Sequence, residues 1–500
     1  MKILLIYPKF AEAMWAYKHA LPYIGKKASS PPLGLLTVAA MLPDSWDKRL
    51  IDLNVNPLTE SDMEGVDLVF ISAMLAQRGS TEKILEKCQD LGLPTIGGGP
   101  LFSIPKSKSL AVEPDHIVCG EAEGIMPILL ADLKSGKLKK RYQPEGFPDV
   151  TRSPVPLWDL VEDFSPYAMM TIQFTRGCPY DCEFCDVVIL NGHIPRMKSI
   201  PQIITELDTL YKLGWRGHVF VCDDNFIGNP KVCRESLLPV ITQWMQSHSH
   251  PFVLTAAVSI NLAHNPDIMK MMLEAGFDRV TIGIESPNQD SLKETNKLQN
   301  IGHDLLEAIH KIQIYGLEIQ AGFIIGFDTD TPDIFSEQVD FIQASGIPTA
   351  MVSILFAFPG TRLYSRLEKE KRLLPVSIDK HAYGVVNYIP KMGVDHLKTG
   401  HLEVLERIYS PELYAQRLKN FFEVYEIPTQ HRSVRMEEFL LLFRIIWDLG
   451  FVDKGRRYFW QMIWYCGNKK PRALPMVIRL LVTGYHFRKD INTYRLAIST

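Results

Sequence analysis

Thr175-Arg176-Gly177-Cys178-Pro179-Tyr180-Asp181-Cys182-Glu183-Phe184-Cys185 is the stretch on which the fold turns. Its cysteines stand at C-x3-C-x2-C, with the aromatic Phe184 directly before the last. Three thiolates on one short loop can converge on a single inorganic centre. The count is informative, because structural zinc takes four protein ligands and most iron–sulfur clusters take four cysteines. A [4Fe–4S] cluster held by only three leaves one iron open to bind a substrate. The competing readings are a zinc knuckle with a distant fourth ligand, or three unrelated thiols. The tight spacing disfavours both.

Strand–helix units surround and follow this loop. Strands are expected at Thr171–Thr175, His218–Cys222, Phe252–Val258, Arg279–Ile284, Glu318–Ile325 and Thr349–Ala357, with helical stretches between them. Such alternation predicts a (β/α) barrel or partial barrel with its chemistry at the carboxyl ends of the strands. Those ends carry Asp223-Asp224-Asn225-Phe226, Gly283-Ile284-Glu285 and Gly322 to Gly326-Phe327. The two aspartates could grip an ammonium group through charge-assisted hydrogen bonds, or form an Asx turn that caps the next element. Gly322 could equally relieve crowding in its strand. Arg196 and Lys198 read either as ligand-facing or as a solvated strand edge.

The cysteine loop resembles the signature of the radical S-adenosylmethionine (SAM) enzymes, whose partial barrel has six strand–helix units. The resemblance implies that Cys178, Cys182 and Cys185 hold a [4Fe–4S] cluster and that Phe184 lies beside the adenine of SAM. It points Asp223 and Asp224 at the SAM ammonium, Glu285 at the ribose hydroxyls, and the backbone at Gly322 and Gly326 at adenine. In that family an electron from an external one-electron reductant passes through the cluster and cleaves SAM to a 5′-deoxyadenosyl radical.

Ahead of the loop, residues 1–140 alternate short apolar strands with helical patterns, which predicts a doubly wound, Rossmann-like parallel sheet. Ligands bind such sheets at the carboxyl ends of the strands. There stand Ser72, Met74, the run Gly97-Gly98-Gly99, Gly120 and Glu121. Glycines after a strand let backbone approach a large ligand. Together these features resemble the cobalamin-binding domain found ahead of many radical SAM domains. The Asp-x-His-x-x-Gly element typical of that domain is missing, and His19 is the only histidine among the first hundred residues. Cobalamin is therefore expected to sit with no histidine beneath its cobalt. A Rossmann-like fold used for substrate or packing is the other reading. Residues 141–170, with Pro144, Pro148, Pro154, Pro156 and Pro166, are expected to form a linker. The barrel is expected over 171–375.

Residues 376–500 read as mostly helical. From 431 to 500 there are 13 Lys and Arg against 5 Asp and Glu, mixed with Trp, Tyr and Phe. Basic, aromatic helices can lie on anionic membrane surfaces; a helical cap with a solvated basic face fits the same residues. The net charge of −3 points away from nucleic acid. Eight cysteines in 500 residues, three of them on one loop, suit a reducing, cytoplasmic compartment, with peripheral contact at the inner membrane surface if the basic helices make it. The opening Met1-Lys-Ile-Leu-Leu-Ile-Tyr-Pro8 is too short in its apolar run for a signal peptide and reads as a buried strand. No apolar run reaches the roughly 18 residues of a membrane-spanning helix.

The whole layout, including Asp223-Asp-Asn-Phe-Ile-Gly-Asn229 and Ile408-Tyr-Ser-Pro-Glu-Leu-Tyr414, resembles the subgroup containing the hopanoid C-2 methylases. That implies a cobalamin-dependent C-methyltransferase acting on an unactivated carbon of an apolar polycyclic small molecule such as a hopanoid, with SAM as both radical and methyl source. A tetrapyrrole would also suit the apolar carboxyl-terminal segment. The alternatives are a radical cyclisation or rearrangement, or, in another class, a non-catalytic iron–sulfur electron-transfer or sensor protein.

Overall fold

The computed structural model describes residues 1–11, 16–104, 110–375, 384–427 and 436–499. The sequence also predicts helices over 103–111 and 433–449, and each falls partly outside these residues.

The first sheet contains β1 (Lys2–Tyr7), β2 (Asp47–Asp52), β3 (Leu68–Ser72), β4 (Thr95–Gly98), β5 (His116–Val118) and β6 (Arg141–Tyr142). Its order is β2-β1-β3-β4-β5-β6, parallel throughout. In β1 the run Ile3–Ile6 is buried on both faces, as expected of a central strand covered by helices above and below. The sixth strand lies in the stretch expected to be linker. It is held there by Tyr142, which is buried and donates to Asp132 at 2.9 Å.

The second sheet contains β7 (Met169–Ile172), β10 (His218–Val221), β11 (Val253–Val258), β12 (Phe277–Glu285), β13 (Glu318–Ile325) and β14 (Thr349–Ile354). All pairs are parallel, in the order β14-β13-β12-β11-β10-β7, and β14 does not pair back onto β7. This is the expected open barrel of six strands. Between β7 and β10 lies a hairpin missed from sequence: β8 (Thr175–Arg176) pairs antiparallel with β9 (Arg196–Met197). The strand expected at Thr171–Thr175 is thus two pieces. The break follows from Asp223, whose carboxylate accepts the Phe174 N–H at 2.7 Å and draws the chain out of the sheet.

The carboxyl ends of the two sheets meet. Ala73, Leu75, Leu101, Phe102, Ile117 and Cys119 from the first pack with Phe356, just past β14, in one apolar cluster. The carboxyl-terminal helices cover the barrel elsewhere. Tyr409 exchanges hydrogen bonds with the backbone of Ala350, and His401 meets the Val352 carbonyl, so the open edge of β14 finds partners. Arg479 pairs with Glu318 at the amino end of β13. The helical-cap reading of this segment therefore holds for its inner faces.

Candidate functional site

The cysteine loop is clamped from both sides. Gly177 has φ of +103°, and a side chain there would strike the Ile194 carbonyl, so only glycine lets the chain turn. Its N–H donates to Asp224 at 2.7 Å, and Asp224 also accepts from Asn191. The Cys178 N–H donates to the Gly192 carbonyl at 3.1 Å. On the outer side, the Glu183 N–H reaches the Thr295 carbonyl at 2.8 Å, and its carboxylate receives two bonds from Arg366 at 2.9 and 3.1 Å. Asn296 donates to the Asp181 carbonyl at 2.7 Å.

This clamp places three free, partly or fully buried thiols within electrostatic reach of each other. Burial pushes the Cys178 thiol up, and that of Cys185 to about 12. A cation beside them offsets this. Lys297 feels Cys182 and Cys185, and although burial disfavours its charge, Glu285 at 2.7 Å and these sulfurs hold it protonated. Gln299 donates to the Cys182 sulfur at 3.5 Å. A sulfur triad with an amide donor and a cation at its back fits a multi-iron cluster. Lys297 and Gln299 were missed from sequence, where lone polar residues over a hundred positions from the cysteines carry no signal.

The strand ends divide the expected SAM residues. Asp223, expected at the SAM ammonium, is 2% exposed, and its two oxygens take the Phe174 N–H and the Thr175 hydroxyl at 2.7 and 2.8 Å. Burial pushes its carboxyl up to about 6. In this structure it braces the hairpin. Asp224 is likewise engaged, with Gly177 and Asn191, and steadies the loop one residue before Cys178. Glu285 ends β12 in the left-handed region, φ +66°, with one oxygen on Lys297. Gly283 is required beside it, since a Cβ there would collide with that carboxylate and the Lys297 amine. Phe184 lies 6.2 Å, centroid to centroid, from Phe327 at the end of β13. A Cβ on Gly322, in the same strand, would meet no atom within 4 Å, which leaves a flat backbone surface free for a ring. Gly326 is a turn residue instead: φ is +111°, Tyr388 and Leu397 fill its side, and its N–H is taken by Asp330 at 2.8 Å.

The three glycines after β4 also divide. Side chains on Gly97 would strike Pro114 and Phe102, and on Gly99 the Ser72 hydroxyl and Ala73 backbone; Gly99 further has φ of +88°. Protein packing requires both. Gly98, paired with Ser72 across the sheet, is the least crowded of the three, since a Cβ there would make only ordinary contact with Val118, at 3.7 Å. Ser103 bridges the neighbouring ends, donating to the Gly99 carbonyl at 2.9 Å and accepting from the Gly120 N–H at 2.7 Å. Met74 is 47% exposed beside them. His19 is remote from this edge, with its ring 3.3 Å from Asp490 on the last helix, and His116 begins β5 at its opposite end.

Glu121, expected at cobalamin, joins the end of the first sheet to the β8–β9 hairpin, 2.6 Å from Arg176 and paired by two bonds with Arg196, while Glu123 lies 2.8 Å from Arg176. Arg196 is partly buried in these pairs and Lys198 is buried against Glu206, so neither is a solvated strand edge. Arg176 thereby ties the end of β5 to the residue two before Cys178.

The Radical SAM superfamily pattern matches residues 172–342, a B12-binding domain matches 27–130, and a domain of unknown function matches 361–499. An uncharacterised methyltransferase of Synechocystis is 34% identical over 491 residues, covering 97% of this chain and 91% of that protein. The chain belongs to the cobalamin-binding radical SAM family. A hopanoid C-2 methylase of Rhodopseudomonas palustris is 33% identical over 478 residues, covering 92% of this chain and 88% of its own. The solved cobalamin-dependent SAM radical enzyme OxsB, bound to aqua-cobalamin and SAM, aligns over 99% of this chain and 80% of its own with a TM-score of 0.62 at 15% identity, a likeness of fold. Membership makes this chain a radical SAM enzyme of the methyltransferase group, with a [4Fe–4S] cluster, SAM and cobalamin as its cofactors. The non-catalytic electron-transfer reading falls with it.

Proposed function

We propose that this enzyme methylates an unactivated carbon of an apolar polycyclic lipid of the hopanoid type. The observation that carries the reading is the meeting of the two carboxyl-terminal sheet edges across an apolar seam, with Phe356 against Leu75, Leu101 and Phe102. An apolar substrate would lie beside this seam, between the strand ends that carry the two cofactor sites, where hydrocarbon faces it. The extended likeness to a hopanoid C-2 methylase supports the same substrate class.

When bound, the cofactors supply hydrogen abstraction and methyl delivery, using two SAM molecules and two single electrons from an external reductant and releasing methionine, 5′-deoxyadenosine and S-adenosylhomocysteine. The chain's own residues do the rest. Cys178, Cys182 and Cys185 would hold the cluster, with Gln299 donating to the sulfur of Cys182 and Lys297 balancing the negative charge. Phe184 and the bare backbone of Gly322 would flank the adenine. Gly98 and Ser72 would admit the corrin to the edge of the first sheet. Arg176, Glu121 and Arg196 fix the distance between the two sites.

The test is incubation of the anaerobically reconstituted enzyme with a hopene, a reductant and SAM deuterated in its methyl group. Mass spectrometry should find the labelled methyl on the hopanoid skeleton. Labelled methyl on a chlorophyllide-type tetrapyrrole but not on the hopene, or 5′-deoxyadenosine with a rearranged and unmethylated product, would overturn the reading.

A further inference from the structure

The helix Met436–Trp447, the turn Asp448–Val452 and the helix Arg456–Lys469 carry a continuous strip of exposed aromatic side chains. Phe443 is 79% exposed, Trp447 63% and Trp464 72%, with Phe451, Val452 and Trp460 also open to solvent. The rings follow one another: Trp447 and Phe451 lie 6.0 Å apart, and Phe451 and Trp460 5.8 Å. Phe443 lies one helical turn before Trp447 and Trp464 one turn after Trp460, so the strip extends at both ends. Its base is firm, since Leu449, Phe459 and Met462 are buried beneath it and Trp460 donates to the Gly450 carbonyl at 2.8 Å. A contiguous apolar surface of this kind marks a contact, because leaving it in water is costly.

The surrounding charge says what covers it. Residues 436–476 hold seven Lys and Arg against four acids, Glu437, Glu438, Asp448 and Asp453. Of these, Asp448 is engaged by the Tyr23 hydroxyl at 2.8 Å and Asp453 by Arg488 at 2.9 Å. Lys454, Arg456 and Arg457 are exposed, and Arg457 shares a helix face with Trp460 and Trp464. Aromatic rings set among basic side chains suit the boundary between anionic headgroups and acyl chains, where indoles settle and cations meet lipid phosphate. No helix among the described residues is long and apolar enough to cross a bilayer. We propose that this strip seats the enzyme peripherally on an anionic lipid bilayer. The inference stands apart from the substrate reading, because it is read by lipid binding alone.

The test is flotation of the full-length holoenzyme with vesicles of phosphatidylcholine, with and without phosphatidylglycerol. The protein should float with the anionic vesicles and be released by salt. The triple variant Phe443→Ser, Trp447→Ser, Trp464→Ser should lower the bound-to-free ratio by about tenfold or more while keeping cluster and cobalamin content. Arg456→Glu with Arg457→Glu should remove the preference for anionic vesicles and retain the fold. Wild-type protein that stays at the bottom of the gradient, or either variant floating like the wild type, would overturn the proposal. So would a concentration-dependent dimer that the triple variant dissolves, since the strip would then bind a second copy of the chain. Flotation without hopanoid methylation would sink only the substrate reading, and methylation without flotation only this one.

Discussion

Replacing Arg176 with Gln separates the structural argument from a mere list of neighbours. The arginine side chain is 13% exposed, and its partners Glu121 and Glu123 are 6% and 2% exposed. Removing one member of a buried ion pair leaves an uncompensated charge and costs about 3–5 kcal/mol. Glu121 keeps Arg196, so the loss falls chiefly on Glu123, and the lower end, about 3 kcal/mol, is expected. In a domain of this size that is a fall of roughly 6–12 °C in the melting transition. The pH dependence gives the sharper test. Burial pushes the Glu123 carboxyl up, but hydrogen bonding and charge from Arg176 outweigh it and hold the group below its usual range. A depressed carboxyl contributes stability that is present above its unfolded pKa and lost as pH falls through the folded value. In the variant only the Ser153 hydroxyl and the local backbone still oppose burial, so the protonated form is better tolerated than in wild type. The deficit relative to wild type should therefore grow as pH rises out of the usual carboxylate range, and be larger near pH 7 than near pH 4.5. Calorimetry of the loaded enzyme at both values measures it. A transition displaced by less than about 2 °C, or a deficit equal at both pH values, would refute the reasoning. Because Arg176 also sets the approach of the two sites, methylated product per 5′-deoxyadenosine should fall while cluster iron is retained.

Other expectations follow from the same geometry. Changing Cys178, Cys182 and Cys185 together to Ala should leave the reconstituted protein without cluster iron, and retained iron with its characteristic absorbance would refute the ligand assignment. Gln299→Leu removes the donor to the Cys182 sulfur, which favours the more negatively charged, reduced cluster. A loss of about 0.5–1 kcal/mol in that preference lowers the midpoint potential by roughly 20–40 mV, readable by redox titration with electron paramagnetic resonance; an unchanged midpoint would remove Gln299 from the site. Gly98→Leu has room in the fold and should lose cobalamin while keeping cluster and SAM cleavage, whereas Gly97→Leu, which collides with Pro114 and Phe102, should fail by unfolding. Normal cobalamin uptake by Gly98→Leu would show that the corrin lies elsewhere.

The fold was largely legible because its signals are local. Alternating apolar strands and helical stretches identified both parallel sheets, since burial on two faces demands unbroken runs such as Ile3–Ile6. The cluster loop was legible for a similar reason, its three cysteines lying within eight residues. The short β8–β9 hairpin was not, because two-residue strands have no period to detect. Polar residues at strand ends were the weakest readings. Asp223 and Glu121 sit where ligands bind in such folds, yet burial and a nearer partner claimed each for structure.

By itself, then, the sequence determined the class of the fold, the cluster loop and the absence of a histidine motif in the first domain, all written in neighbouring residues. Only the tertiary structure decided which groups lie against the three cysteines and which merely brace their loop. Gln299 reaches Cys182 across 117 positions of chain, and Arg176 reaches Glu121 across 55. Such pairings depend on how two sheets and a helical cap pack, and a hydrogen-bonding side chain carries no mark in the sequence of the partner that packing will bring to it.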